Sequence, residues 1–323
     1  MSLQWMLRVV LMSCSIFSAG QSHAFPDKPV TLVIPFAAGG SGDVISRAIA
    51  ARLSARWGKP VIVENRPGAG GAIGTVYVHR QPADGYTILM NSPAVMISTE
   101  LLRGNPGYKT LSDFIPVTEV FRTPVVLVAS NTTRSRDAVS FFDEARKHPE
   151  YSFASHGSGS STQYLGEQLK ASIGINLIHI PVSGEAQMIT NIVGGHVTSG
   201  LMSVSGAHKA VNSGGAWVVA VTGTSRWQSL PQVPTFRELG YQGGDRMSGM
   251  SYFVRESTPR KIVDQLAQDM ALAINDPKTA EATAALGVRL ISTTPEQTMN
   301  SLKSEYSEWQ GYIRKFGNVT EEK

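Results

Sequence analysis

The stretch Val30-Thr31-Leu32-Val33-Ile34-Pro35-Phe36-Ala37-Ala38-Gly39-Gly40-Ser41-Gly42-Asp43 decides the fold of this 323-residue chain. Its apolar, β-branched start reads as a strand, its glycines and serine as a tight loop, and Ser41 to Trp57 as a helix. Ile45, Ala48, Ile49 and Leu53 share one face of that helix, and Gly58 and Pro60 end it. The same device recurs far downstream in Ala154-Ser155-His156-Gly157-Ser158-Gly159-Ser160-Ser161-Thr162. Two such units, well separated in sequence, predict two α/β lobes facing each other across a cleft.

Around these units short β-rich runs alternate with helical stretches. Val61 to Val63, Tyr86 to Met90, Val125 to Ser130, Tyr151 to Ala154, Leu177 to Ile180 and Trp217 to Val221 read as strands. Thr162 to Ile173 and Glu185 to Val193 read as helices, and the alternation predicts mostly parallel sheets. Thr258-Pro259 is expected to cap a helix running through Ile274, and Thr294-Pro295-Glu296-Gln297 to open another through a capping box. On the latter, Met299, Leu302, Tyr306, Trp309 and Ile313 form a stripe with the spacing of core packing. The expected division is 25–122 plus 252–323 for the first lobe and 123–251 for the second. The chain should cross near Phe121 to Pro124 and Met247 to Tyr252, with the C-terminal helices returning to the first lobe.

A length of 323 residues suits two domains, and 42% apolar against 17% charged residues excludes intrinsic disorder. The 29 Lys and Arg scattered among 25 Asp and Glu leave a net charge of only +4, which does not describe a nucleic-acid binder. Arg8, the apolar run Val9 to Phe17 and the ending Ser22-His23-Ala24 have the layout of a secretory signal cleaved after Ala24. A retained anchor and lipidation at Cys14 are the alternatives. Cleavage removes the only cysteine, so no thiol chemistry is expected, and the mature protein is expected in the periplasm.

Glycines let a backbone approach a ligand closely, and a helix start presents unpaired N–H groups, so each loop reads as an anion site. Other chemistries fail on spelling. A dinucleotide fingerprint would need glycine at Ile45 or Ile73, although Glu64 stands where a ribose-binding acid would. No Gly-Lys-Ser/Thr occurs in these loops, and no Gly-x-Ser-x-Gly elbow surrounds Ser41, Ser158 or Ser160. The seven histidines lack ligand spacing, so no metal, no cofactor and no catalytic residue are expected. An exported hydrolase would need an acid partner for His156, and none is identifiable. A sensory module signalling to a membrane kinase stays open as the alternative to transport.

Glu64-Asn65-Arg66-Pro67-Gly68-Ala69-Gly70-Gly71 is too unusual for a linker. Together with Phe25-Pro26-Asp27-Lys28-Pro29, Val33 to Gly40, Asp84-Gly85-Tyr86-Thr87, Asp113 to Thr118, Gly159-Ser160-Ser161, Gly194 to Val197 and Leu230 to Thr235, it carries a resemblance covering nearly the whole mature chain. The chain resembles the periplasmic solute receptors of tripartite tricarboxylate transporters, the TctC-like Bug receptors. The resemblance implies a two-lobed binding protein, not an enzyme, that closes on a small carboxylate and delivers it to membrane components of a tripartite transporter. A monomer is expected.

The expected grip uses backbone N–H groups of Ala38, Gly39, Gly40 and Ser41 and of Gly159, Ser160, Ser161 and Thr162, with the hydroxyls of Ser41, Ser160, Ser161 and Thr162. Asp43 is expected to cap its helix beside the site. Phe36, Ser92, Met96, His156, Gln163, Tyr164 and Gln187 are expected in the lining, with Ser183, Gly184, Glu185 and Ala186 closing it from the second lobe. The chain departs from the family pattern at Gly42, where a threonine is usual, and at Pro181-Val182-Ser183-Gly184-Glu185. Met202 stands near a usual aspartate, and Gly249 near a usual aromatic. These last two changes favour an aromatic or bulky monocarboxylate over an amino acid, with a dicarboxylate next.

Overall fold

A strand buried on both faces needs apolar side chains pointing both ways, and Val30 to Ile34 supplies them. The computed structural model, which describes residues 25–316, sends Leu32 and Ile34 into one core and Val33 into another. The strands are β1 (Val30–Ile34), β2 (Val61–Asn65), β3 (Thr87–Asn91), β4 (Phe114–Thr123), β5 (Val126–Ser130), β6 (Ser152–Ser155), β7 (Ile178–Pro181), β8 (Ser199–Met202), β9 (Ala216–Val221), β10 (Ser248–Arg255) and β11 (Arg289–Leu290). They form a six-stranded sheet, β11-β4-β10-β3-β1-β2, and a five-stranded sheet, β7-β6-β8-β5-β9. The helices that matter below are α1 (Ser41–Trp57), α2 (Ala72–His79), α3 (Pro93–Arg103), α4 (Ser161–Ile173), α5 (Glu185–Val193), α6 (Arg260–Ile274) and α7 (Pro295–Phe316).

In the first sheet, α1 and α6 cover one face around Leu32, Ile49, Val263 and Leu266. On the other face α3 and α7 pack around Val33, Ile97, Phe253 and Trp309. The second sheet repeats the alternation, with Leu127 and Ala129 on one side and Val126 and Val128 on the other. The result is an α/β protein of two lobes, each built on one sheet.

The expectation of mostly parallel sheets needs correction. β1 pairs parallel with β2 and β3, and β6 with β7 and β8. The pairs β10–β3, β10–β4, β11–β4, β5–β8 and β5–β9 are antiparallel. The helical crossovers that force parallel pairing serve only the outer part of each sheet. The strands that carry the chain between sheets, β4, β5 and β10 inside their sheets and β9 at the edge of its own, run against their neighbours.

One passage lies between Thr123 and Val126 and the return between Val221 and Ser248. They start side by side: Thr222 N–H donates to Val125 O at 2.9 Å, and Val125 N–H to Thr222 Oγ1 at 2.9 Å. Pairing of β10 begins at Ser248 opposite Thr123, ahead of the boundary expected at 252. Two caps were read from sequence. Thr294 and Gln297 do form a reciprocal box, Gln297 N–H donating to Thr294 Oγ1 at 3.2 Å and Thr294 N–H to Gln297 Oε1 at 3.0 Å. Thr258 does not cap α6; its hydroxyl donates back to Arg255 O at 2.7 Å. The expected signal sequence and Cys14 lie outside the described residues.

Candidate functional site

The loop between β1 and α1 is exposed from Ala37 to Gly40; Asn65 Nδ2 donates to Phe36 O at 3.1 Å, and a second tie comes from the helix. Asp43 reaches back so that Gly39 N–H donates to its Oδ2 at 2.9 Å, while Arg47 pairs with the other oxygen at 2.9 Å. Burial would raise the Asp43 pKa, but the Arg47 and Gly39 donors outweigh it and hold the carboxyl below its ordinary value. Asp43 is therefore anionic and occupied. Gly40 is the N-cap and has no side chain to accept, which leaves the first-turn N–H groups of Ser41 and Gly42 open.

The loop between β6 and α4 is tied at almost every residue. Ser160 caps α4, accepting from Gln163 N–H at 3.2 Å, and Gln163 Oε1 accepts from Gly159 N–H at 2.7 Å. The Gln163 amide donates to His179 Nδ1 at 3.1 Å, and this fixes the tautomer with the proton on Nε2. His179 then faces Ser155 Oγ at 2.7 Å. Burial, with help from Lys170, pushes the His179 pKa down to about 4, so the ring is neutral. Thr162 Oγ1 accepts from His156 N–H at 3.0 Å and lies 3.1 Å from its Nδ1. Burial lowers the His156 pKa as well, partly opposed by Glu185, whose carboxylate is 3.9 Å from Nε2.

Between the two sheets these elements border a cleft of about 320 Å³. Phe36 and Gly70 come from the first lobe's loops, Val95, Ser98, Thr99 and Leu102 from α3, and His156, Ser158, Gly159, Ser160 and Ser161 from the second lobe. No Lys, Arg, Asp or Glu lines it. The hydroxyl of Ser161 has no protein partner among the described residues, and neither do the first-turn N–H groups of Ser161 and Thr162. Hydroxyls and open helix-start donors facing an apolar wall can hold an anion without a counter-charge. His156 does face an acid, Glu185, which the sequence did not reveal, but its Nδ1 meets Thr162 and no serine hydroxyl bonds to its ring among the described residues. Ser155 and His179 have hydrogen-bond geometry, but Ser155 is fully buried and the outer ring nitrogen meets an amide rather than a carboxylate.

Of the residues expected from sequence, Phe36, His156, Gly159, Ser160 and Ser161 meet at this cleft. Ser92 lies next to it, in a pocket of about 70 Å³ that shares Ser161 and holds Gly249, Arg246 and Glu305. Ala38, Gly39, Gly40 and Ser41 are not part of the cleft wall, and Asp43, Thr162 and Gln163 are buried in the loop ties. Glu185 turns inward and accepts from Ser203 N–H at 2.8 Å, and Ser183 is tied to Gln187 Oε1 at 2.8 Å; Gly184 and Ala186 flank them outside the wall.

Met202 is a core residue among Val126, Val128 and Val221, and Met96 packs in the core around Val33. Neither opens or closes the cleft. Gly249 does not open volume there either, because an added Cβ would stand 2.5 Å from Phe121 O in the neighbouring strand. Tyr164 leaves its own lobe: its ring packs 4.0 Å from Trp309 and 3.8 Å from Tyr312, and its hydroxyl donates to Glu308 O at 3.1 Å. Arg246 pairs with Glu305 and Glu308 beside it, so α7 belongs to the first lobe's core yet grips the second. Sequence reasoning missed Gly70 and the α3 residues. The signal was available, since Val95, Ser98, Thr99 and Leu102 follow the i, i+3, i+4, i+7 spacing of one helical face.

The model of the tripartite tricarboxylate transporter family receptor matches residues 45–318. The chain is 34% identical over 304 residues to the UPF0065 protein in the tcbD-tcbE intergenic region of Pseudomonas sp. (strain P51), covering 94% of this chain and 90% of that one. It is 30% identical over 313 residues to protein BugT of Bordetella pertussis, covering 96% and 95%. Among solved structures it is similar to the periplasmic binding protein BugD, with TM-score 0.75 and 30% identity over 91% of this chain and 99% of that one. R. palustris Rpa4515 with adipate gives TM-score 0.78 and 27% identity over 90% and 97%.

Proposed function

The chain belongs to the tripartite tricarboxylate transporter family of receptors, periplasmic solute-binding proteins rather than enzymes, and we propose that it binds a small monocarboxylate with an apolar body. One observation carries this reading: the 320 Å³ cleft offers hydroxyls and open N–H groups against Phe36, Val95 and Leu102, with no charged side chain in its wall. A first carboxylate is served by the α4 start. A second one, or an ammonium group, would be buried without a counter-charge. The preference for a bulky or aromatic body rests on that apolar wall and not on Met202 or Gly249. Rpa4515 was solved with adipate, which makes a dicarboxylate the natural comparison.

In this reading 25–122 with 252–323 and 123–251 act as two lobes that close on the ligand. The mature receptor, cut after Ala24, works as a monomer and passes its cargo to the membrane components of a tripartite transporter. The test is a thermal-shift series with benzoate, adipate, malate and aspartate. At a hundred times its dissociation constant a ligand adds about 2.7 kcal/mol, a plain rise in melting temperature. Benzoate should give the largest rise. A rise with aspartate and none with benzoate would sink the proposal.

A further inference from the structure

The Asn65 to Gly71 string does more than border the cleft. Gly70 faces the cleft, whereas its neighbour Ala69 faces a second and larger cavity of about 650 Å³, and Thr99 lies on the border of both. This groove runs along α2, whose Ile73, Val76 and Tyr77 line it, and its volume is that of a small-molecule site. Ile73 is 55% exposed, lies over Gly68 and presents its apolar side chain to the groove.

The groove also has a sign. Arg66 lies over the Tyr77 ring at 3.6 Å and pairs with Glu64 at 2.6 Å, yet its Nε is buried with no hydrogen-bond partner. Arg80, on the same wall, makes no ion pair among the described residues, and no Asp or Glu lines the groove. An apolar trough whose wall carries Arg66, paired with Glu64 outside the lining, and an unpaired Arg80 suits an anion carrying an apolar body. We propose that this groove is a second ligand site, taking aryl carboxylates or sulfonates independently of the cleft.

The probe is 8-anilinonaphthalene-1-sulfonate, titrated by fluorescence into the full mature chain. Ile73→Asp combined with Arg80→Glu alters only exposed side chains, and an unchanged melting temperature checks the fold. The expected result is a saturable component that this pair weakens at least tenfold and that Ser98→Trp, which fills the cleft, leaves in place. A component that survives Ile73→Asp with Arg80→Glu, or one that disappears with Ser98→Trp, overturns the proposal. So does the absence of saturable binding, the result expected if the groove only docks a protein. The cleft reading fails separately, through the benzoate series, whichever way this titration ends.

Discussion

The two glycine- and serine-rich loops are spelled alike and built differently. After β1, the chain exposes Ala37 to Gly40, starts its helix without a side-chain cap and is tied by Asp43 and Asn65 alone among the described side chains. After β6, Ser155, Ser160, Thr162, Gln163 and His179 bond to one another and leave the hydroxyls of Ser158 and Ser161 open in the cleft wall. The first leaves its backbone donors exposed; the second spends most of its polar groups on its own network. A composition rich in glycine and serine predicts both, because what separates them is the partner each polar side chain finds in three dimensions.

The difference extends to anchoring, and the largest expected effect tests that. Helix α4 is pinned across the lobes by Tyr164, 1% exposed between Trp309 and Tyr312, whereas α1 packs on its own sheet, on α6 and on the Pro277–Thr283 helix, with Arg56 and Trp57 donating to Asp269 of α6. Tyr164→Ala should cost about 3–5 kcal/mol by chemical denaturation, the range for deleting a buried aromatic ring. Tyr164→Phe removes only the bond to Glu308 O and should cost about 1 kcal/mol. Equal small losses for the two would show that the ring contact is not an anchor.

If the first loop acts by folding onto the ligand, bulk on it should block binding without touching stability. Gly40 has φ −74°, and an added Cβ would find only Ala37 O within reach, at 3.8 Å. Gly40→Trp is therefore expected to leave the melting temperature unchanged and weaken carboxylate binding at least tenfold. Unchanged affinity would assign the whole grip to the second loop and α3.

Much of this was legible in the sequence. The extent of α1, the α7 capping box and the stripe through Leu302 and Trp309 follow from periodicity and local cap chemistry, which a linear sequence records. β4 and β10 were not read as strands because they pair with partners distant in sequence and their runs include Pro116 and Gly249. Within the site the loops were legible; on α3 the spacing groups Val95, Ser98, Thr99 and Leu102 on one face, but an amphipathic helix does not declare which face meets a cleft. Met202 shows the converse. Alignment to a family position located it in the chain, and burial among valines decided what it does.

Acid should separate the loops next. His179 is held neutral by burial with a pKa of about 4 against an ordinary 6.5, so the unfolded chain takes up its proton first. Its contribution is complete above pH 6.5 and declines as pH falls to about 4; His156 shifts in the same direction. Asp43 works at the other end: its pKa is lowered below 3.8, so its contribution holds above that value and is lost as pH falls further. Hydrogen exchange should show the residue 155–163 loop loosening between pH 6.5 and 4 while residues 37–43 keep their protection. Simultaneous loosening would mean that the second loop's network is not what holds it.

The smallest effect bears on the caps themselves. Ser160 satisfies Gln163 N–H, and Ser160→Ala should cost about 1 kcal/mol, the usual value of an N-cap hydroxyl. Gly40 occupies the same position on α1 with extended ψ of 166°, a backbone that a serine adopts without strain. Gly40→Ser should therefore gain a few tenths of a kcal/mol, since glycine is only slightly inferior to serine as a cap. The pair is best measured by urea unfolding with the slope held common, because the expected gain is close to the resolution of the method. A gain confined to stability, with carboxylate affinity unchanged, would mean that the missing cap on α1 is neutral for function. A gain bought at the expense of affinity would mean that the open donors of Ser41 and Gly42 are the reason glycine stands there, because the new hydroxyl would accept the N–H groups kept free for the ligand.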